Sequence, residues 1–299
     1  MRQVTVATSQ MSCSWTLDEN IATAERLIRE AHRQGAQIIL IQELFASPYF
    51  CIDQNPEHYA LAEEEPTSRL LAHFTALAQE LEVVLPISFF EKEHQAYYNS
   101  IVIIDADGTR LGKYRKSHIP NGPAYQEKQF FIPGDTGFKV WDTRYGRIGV
   151  GICWDQWFPE TARCMALQGA ELLFFPSAIG SEPDYPDIDS QPHWTRVQQG
   201  HAAANVMPVV TANRIGTEQS KTLKGADQQP YEMTFYGSCF IADQTGELVQ
   251  QANKTDETVL VHTFDLDAIA EQRAAWGLFR DRRPTLYGAI ATSDGHSGK

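Results

Sequence analysis

The sequence predicts an α/β protein made of two similar sheets, each covered by helices on its outer face and packed against the other on its inner face. Three observations lead there. Strand-like and helix-like hydrophobic patterns alternate almost from the first residue. The alternation is replayed in the second half of the chain. Each half closes on paired strands rather than on a further helix, which leaves a sheet face to be buried by its counterpart. At 299 residues, 42% hydrophobic and 21% charged, the chain is long and apolar enough to fill such a core.

In the first half, Val4 to Gln10 reads as a strand and Leu17 to Gln34 as an amphipathic helix closed by Gly35. Ile38-Ile39-Leu40-Ile41 is a continuous apolar run, the pattern of a strand buried on both faces. Pro66-Thr67-Ser68 opens a second helix to about Leu81. Strands over Val83 to Phe90 and Ser100 to Ile104 follow, the second turning at Asp107-Gly108. In the second half, Arg147 to Cys153 is a strand, Pro159 to Gly169 a helix and Leu172 to Phe175 a buried strand. A helix from Gln191 to Asn205 leads to a strand over Val209 to Asn213. Gly237 to Ala242, the turn Asp243-Gln244-Thr245-Gly246 and Thr258 to Asp265 complete a meander. No Ser/Gly- or Pro-rich linker divides the halves. One domain over residues 1–299 is therefore expected, with a core at about 4–267 and a C-terminal extension over 268–299 that ends in a polar tail.

Charge and cysteine usage narrow the classes of function. A formal net charge of -13 speaks against a nucleic-acid partner, because phosphate neutralisation needs a surplus of Lys and Arg. It suits attraction of small cations. No basic stretch followed by an apolar run opens the chain, and no apolar run nears the ~20 residues that span a bilayer. The five cysteines are odd in number and scattered, with neither a C-x-x-C pair nor a zinc spacing. A cytoplasmic protein with reduced thiols, no metal, no cofactor and no membrane partner is expected.

Three polar residues stand where apolar strands end, the position at which α/β folds gather their chemistry. Glu43 ends Ile38-Ile39-Leu40-Ile41-Gln42-Glu43. Cys153 ends Arg147-Ile148-Gly149-Val150-Gly151-Ile152-Cys153. Lys116 lies just beyond a strand, in Lys113-Tyr114-Arg115-Lys116-Ser117-His118. Each has an ordinary explanation taken singly: a small buried hydrophobe, a helix cap or ion pair, a solvated basic loop. A papain-like pairing of Cys153 with His118 or His201 lacks a catalytic phrase around either histidine. The glycines of Gly146-Arg147-Ile148-Gly149-Val150-Gly151 lie inside a strand with no helix opening at them, so a phosphate loop is excluded.

Together, Gly151-Ile152-Cys153-Trp154-Asp155, Glu43 and Lys116 resemble the motifs of the nitrilase superfamily, in that family's order, over about Val4 to Asp267. The resemblance implies a four-layer α-β-β-α sandwich and hydrolysis of carbon–nitrogen bonds by a cysteine nucleophile. It also implies a second glutamate, matched by Glu127 in Tyr125-Gln126-Glu127-Lys128. The chemistry accounts for the residue types. A neutral thiol attacks an amide poorly, so Cys153 needs Glu43 as base. Charge growing on the carbonyl oxygen needs Lys116 and the N–H after Cys153. Glu43 then passes its proton to the leaving nitrogen and activates water, while Glu127 orients Lys116 or the leaving group.

Two segments bear on the substrate. Pro176-Ser177-Ala178-Ile179-Gly180-Ser181-Glu182-Pro183 and His193-Trp194-Thr195-Arg196 through Ala212-Asn213-Arg214-Ile215-Gly216 resemble the branch acting on N-carbamoylputrescine, which yields putrescine, ammonia and carbon dioxide. A small cationic carbamoyl substrate of this kind calls for a distal carboxylate and apolar walls. Glu182, Trp154 and Tyr125 are the candidates. Two other readings are a β-ureidopropionate or N-carbamoyl amino acid amidohydrolase, for which Arg196 would either bind the substrate carboxylate or buttress the fold, and a catalytically silent binding or assembly protein. The resemblance further implies a homo-oligomer.

Overall fold

The computed structural model describes residues 1–225 and 227–296; Ala226 and the last three residues of the expected extension lie outside the described residues. In chain order the elements are β1 (Gln3–Met11), α1 (Leu17–Arg33), β2 (Ile38–Leu40), α2 (Arg69–Leu81), β3 (Leu85–Glu93), β4 (Ala96–Ile104), β5 (Arg110–Arg115), β6 (Val140–Thr143) and β7 (Gly146–Val150). There follow α3 (Pro159–Leu167), β8 (Leu172–Pro176), α4 (Gln191–Asn205), β9 (Val209–Lys224), β10 (Pro230–Tyr236), β11 (Phe240–Ala242), β12 (Leu248–Gln251), β13 (Thr258–Asp265) and α5 (Leu266–Trp276).

The strands form two layers, as the replayed pattern predicts. In one, β1 lies between β13 and β2, and a bridge from Ile38 to Val84 carries the layer on to β3, β4 and β5. The other runs β6-β7-β8-β9-β11-β12, with β7, β8 and β9 parallel. The layers join where Gln10 and Met11 pair with Asn213 and Arg214.

Three buried clusters fill the four layers. Ile21, Ala24, Leu27, Ile28 and Ala31 of α1 recur at helical spacing, and with Leu70, Leu71, Phe74 and Leu77 of α2 they cover Ile39, Ile87, Val102 and Ile104. Val6, Ile38, Ile101 and Ile103 meet Ile148, Val150, Phe174 and Val210 between the sheets. Ala162, Met165, Trp194 and Ala202 from α3 and α4 pack on Leu173, Phe175 and Val209. The interior is thus the α-β-β-α sandwich.

Several elements differ from the sequence reading. The strand expected to reach Cys153 ends at Val150, and Cys153–Trp157 is a tight 3-10 turn. A Cβ on Gly151 would come within 2.8 Å of the Phe175 ring, so that glycine serves close strand packing. The strand expected to stop at Asn213 runs on to Lys224 and pairs with β10. Its outer half, Thr217-Glu218-Gln219-Ser220-Lys221-Thr222, is too polar to give a core-facing pattern.

Candidate active site

Glu43, Lys116 and Cys153 all lie just past the carboxyl ends of strands: β2, β5 and β7 respectively. The fold brings the first two into direct contact. Lys116 Nζ donates to Glu43 Oε1 at 2.8 Å and to Glu127 Oε1 and Oε2 at 2.9 and 2.7 Å. Lys116, Glu43 and Glu127 are all sealed from solvent. Burial alone would strip the Lys116 proton, but Glu127 and Glu43 outweigh it and hold the ammonium charged.

Glu43 is divided in its roles. Oε1 is saturated, since Asn99 Nδ2 donates to it at 2.6 Å alongside Lys116. Oε2 is buried and has no hydrogen-bond partner. A carboxylate with one oxygen clamped and the other free and dry is arranged to accept a proton. Glu127 has no such freedom: Tyr49 donates to its Oε1 at 2.7 Å and Lys116 holds both oxygens. Burial nevertheless pushes the Glu127 carboxyl up to about 7. Its geometry is that of a clamp on Lys116 rather than a proton carrier.

Cys153 sits in the left-handed region, with φ at 44°. A non-glycine residue there costs on the order of 1–3 kcal/mol and persists only where its surroundings enforce it. Asp155 is what enforces it. Its Oδ2 accepts from Ile152 N at 2.9 Å and from Tyr114 Oη at 2.7 Å, and its Oδ1 accepts from His118 N at 3.0 Å. Tyr114 and His118 flank Lys116 by two residues on either side, so one carboxylate ties the cysteine turn to the lysine segment. Burial and the charge of Glu43 push the Cys153 thiol well up; Lys116 and the Ala178 N–H oppose them. These surroundings favour the thiol over the thiolate, so attack needs a base in place.

The histidines weighed as partners of the cysteine are engaged elsewhere. His118 Nδ1 is 2.7 Å from Asp155 Oδ1, with its ring stacked on Phe158 at 3.6 Å. His201 Nε2 is 2.7 Å from the carbonyl of Gln156.

The residues expected to meet substrate fall on separate segments. Tyr125 Oη accepts from Gly180 N at 3.0 Å and donates to Gly180 O at 3.3 Å, so its hydroxyl is spent on the loop that carries Glu182. Glu182 is partly buried, and burial raises its carboxyl; Ser190 Oγ is 3.4 Å away. Trp154 is 38% exposed, with its ring 6.0 Å from that of Trp157. Arg196 points to solvent from α4.

Sequence reasoning missed Asn99, Tyr49, Asp155 and Arg214. Asn99 carried a legible signal, one of two adjacent polar residues, with Ser100, inside the apolar run of β4. Arg214 is fully buried and binds the carbonyls of Glu43, Leu44 and Ser47. Among the described residues, no group of three or more His, Cys, Asp or Glu side chains is arranged to hold a metal ion, and no helix is long and apolar enough to cross a membrane.

This constellation can be set beside known proteins. Residues 5–274 match the model of the carbon-nitrogen hydrolase family. The chain belongs to that family. The carbon-nitrogen hydrolase is 57% identical to the N-carbamoylputrescine amidase of Arabidopsis thaliana, over 99% of this chain and 97% of the relative. It is 50% identical to a citrullinase of Francisella tularensis, over 97% and 99% of the two chains. A crystal structure of a carbon-nitrogen hydrolase from Helicobacter pylori superposes with a TM-score of 0.89 at 36% identity, over 98% and 99% of the chains. The nitrilase-superfamily resemblance and the sandwich expected from it both hold.

Proposed function

We propose that this carbon-nitrogen hydrolase cleaves N-carbamoylputrescine to putrescine, ammonia and carbon dioxide through a covalent intermediate on Cys153. Glu43 Oε2 takes the thiol proton as Sγ attacks the carbamoyl carbon. The oxygen gains charge facing Lys116 and the N–H that follows Cys153. Glu43 returns the proton to the nitrogen whose bond to carbon breaks, leaving a carbamoyl thioester. Water, deprotonated by Glu43, adds to that carbon, and the sulfur departs with the proton restored. The carbamic acid released falls to carbon dioxide and an amine, so the products are the same whichever nitrogen leaves first.

The observation that carries the substrate is Glu182. It is a partly buried carboxylate on the loop that Tyr125 Oη fastens at Gly180, and it forms no ion pair among the described residues. A chain ending in an ammonium supplies the missing charge. A substrate ending in a carboxylate meets repulsion there, and Arg196 lies in solvent. The full-length similarity to N-carbamoylputrescine amidases from four plants supports the same choice.

The deciding experiment is ammonia release from N-carbamoylputrescine, N-pentylurea and β-ureidopropionate under one set of conditions. The reading expects the cationic compound to have the highest kcat/KM, and a β-ureidopropionate preference would overturn it. We further propose a homo-oligomer acting in the cytoplasm. Trp276, Leu286 and Ile290, 69%, 67% and 66% exposed near the C-terminus, are large apolar side chains that self-association would cover. Light scattering showing a monomer would remove that part.

A further inference from the structure

β4 carries an amide on a face that otherwise serves the core. Ile101 and Ile103 pack between the two sheets, while Val102 and Ile104 face the helices. Strand alternation puts Asn99 on the inner face with Ile101 and Ile103, and its neighbour Ser100 on the other, where it donates to Glu91. Asn99 is 1% exposed, and its Oδ1 is buried with no hydrogen-bond partner among the described residues. A half-satisfied amide in a sheet interior costs stability, so stability does not account for its presence.

The other end of the amide accounts for it. Asn99 Nδ2 donates to Glu43 Oε1 at 2.6 Å, and only the NH2 end of an amide can face a carboxylate in this way. The main-chain carbonyl of the same residue accepts from Lys116 N at 2.8 Å, just where the lysine leaves β5. Lys116 Nζ returns to Glu43 Oε1 at 2.8 Å. Three residues thus close a ring, in which Asn99 fixes the lysine through its main chain and the glutamate through its side chain.

The ring decides which glutamate oxygen can work. Two N–H donors aimed at Oε1 leave no room for a proton there, whereas Oε2 is buried and free. Asn99 is neutral and does not give up its own proton. Its bond to Oε1 therefore holds before and after Glu43 takes the proton of the thiol.

We infer that Asn99 is a positioning residue for this hydrolysis: by clamping Oε1 it confines proton transfer to Oε2, and it sets the spacing of Glu43 and Lys116. This role rests on the reading of Glu43 as the base of Cys153 given above.

Asn99→Leu keeps the volume of the side chain and removes the donor. On N-carbamoylputrescine, kcat should fall at least ~10-fold with KM changed by less than ~3-fold, because the base is misplaced while the binding groups are untouched. The acid limb of the pH profile of kcat/KM should move upward by about half a unit or more, since a carboxylate that loses a donor holds its proton more tightly. Alkylation of Cys153 by iodoacetamide, followed by peptide mass, needs no substrate, and the acid limb of its rate should move the same way. Asn99→Asp serves as a second variant should Asn99→Leu not fold; its carboxyl must share a proton with Glu43, so both limbs should move further up. A fall in kcat with both limbs where wild type has them would make Asn99 merely structural and overturn the inference, as would unchanged kcat. If wild type does not turn over N-carbamoylputrescine, the substrate reading falls and the alkylation profiles still decide the role of Asn99. If Glu43→Gln is alkylated with the pH dependence of wild type, the base assignment falls and this role with it.

Discussion

Arg214 Nη2 lies 3.2 Å from the main-chain carbonyl of Glu43 and 2.5 Å from that of Leu44. Leu44 has φ at 49°, so the chain immediately after Glu43 is held in a conformation it would not choose alone. Arg214 also pairs with Glu218 at 3.1 Å, Glu218 accepts from Tyr49 N at 2.6 Å, and Tyr49 donates to Glu127. Glu127 holds Lys116, and Lys116 holds Glu43. The circuit closes on itself, so Glu43 and Lys116 are fixed by one continuous set of polar contacts.

Arg214→Lys should therefore impair chemistry more than binding. A lysine keeps the charge but loses the planar fork that reaches three carbonyls at once. We expect kcat to fall at least ~10-fold with KM changed by less than ~3-fold, since a misplaced base costs rate steeply. Steady-state kinetics on the same substrate would show it. An equal effect on KM alone would mean that Arg214 does not govern Glu43.

Cys153→Ala should abolish turnover and leave the fold in place. The removed atom is the reacting one, and the residue contributes little core volume. Activity below ~10⁻³ of wild type is expected with thermal unfolding shifted by only a few degrees, because the Asp155 contacts that enforce the turn do not involve the sulfur. A variant retaining a tenth of the wild-type rate would exclude a thiol intermediate.

What the sequence disclosed follows from where each residue stands. Glu43 and Cys153 were legible as candidates because each interrupts an apolar pattern at a strand end, and Lys116, in a basic run, only because the order of the three matches a known arrangement. The same patterning made the two-layer interior legible, since Ile38 to Ile41 and Leu172 to Phe175 admit few other readings. Arg214 was not legible, because a cation within a strand gives no sign that it is buried until the carbonyls it serves are known. Tyr49 and Asp155 act through contacts 78 and 41 residues away, which no local pattern encodes. The β9–β10 hairpin was missed because its polar face carries no hydrophobic period.

Acid should loosen the strand that delivers Lys116. Glu91 is a fully buried carboxylate that accepts from Ser100, Lys113 and Arg115. Burial alone would raise its carboxyl, but Arg115, Lys113 and Ser100 together hold it down to about 2, against a usual 4.5. A depressed carboxyl stabilises the fold above its unfolded value and loses that contribution as pH falls through its folded value. The window is thus from about pH 4.5 down to about 2, and about 2 kcal/mol is at stake after allowing for solvent near Lys113. Chemical denaturation in this window should show stability dropping with acid, and Glu91→Gln should start lower at neutral pH and drop less steeply. An identical slope in the variant would remove Glu91 as the cause.

Glu182→Gln tests the proposed contact between this carboxylate and the distal ammonium. The change keeps size and hydrogen-bonding shape but removes the anion, leaving the distal ammonium without its charged partner. Losing one partner of a desolvated pair costs roughly 2–5 kcal/mol, so kcat/KM on N-carbamoylputrescine should fall at least ~10-fold. Part of that loss should appear in kcat, because binding at the far end helps hold the carbamoyl carbon against Cys153. N-pentylurea, equal in length and neutral, should lose much less. The variant should also narrow the gap between the two compounds from the cationic side only, since nothing about glutamine improves contact with a methyl group. Equal losses on both ureas would assign Glu182 to the structure of its loop, and no loss on either would place it in solvent, away from the ammonium.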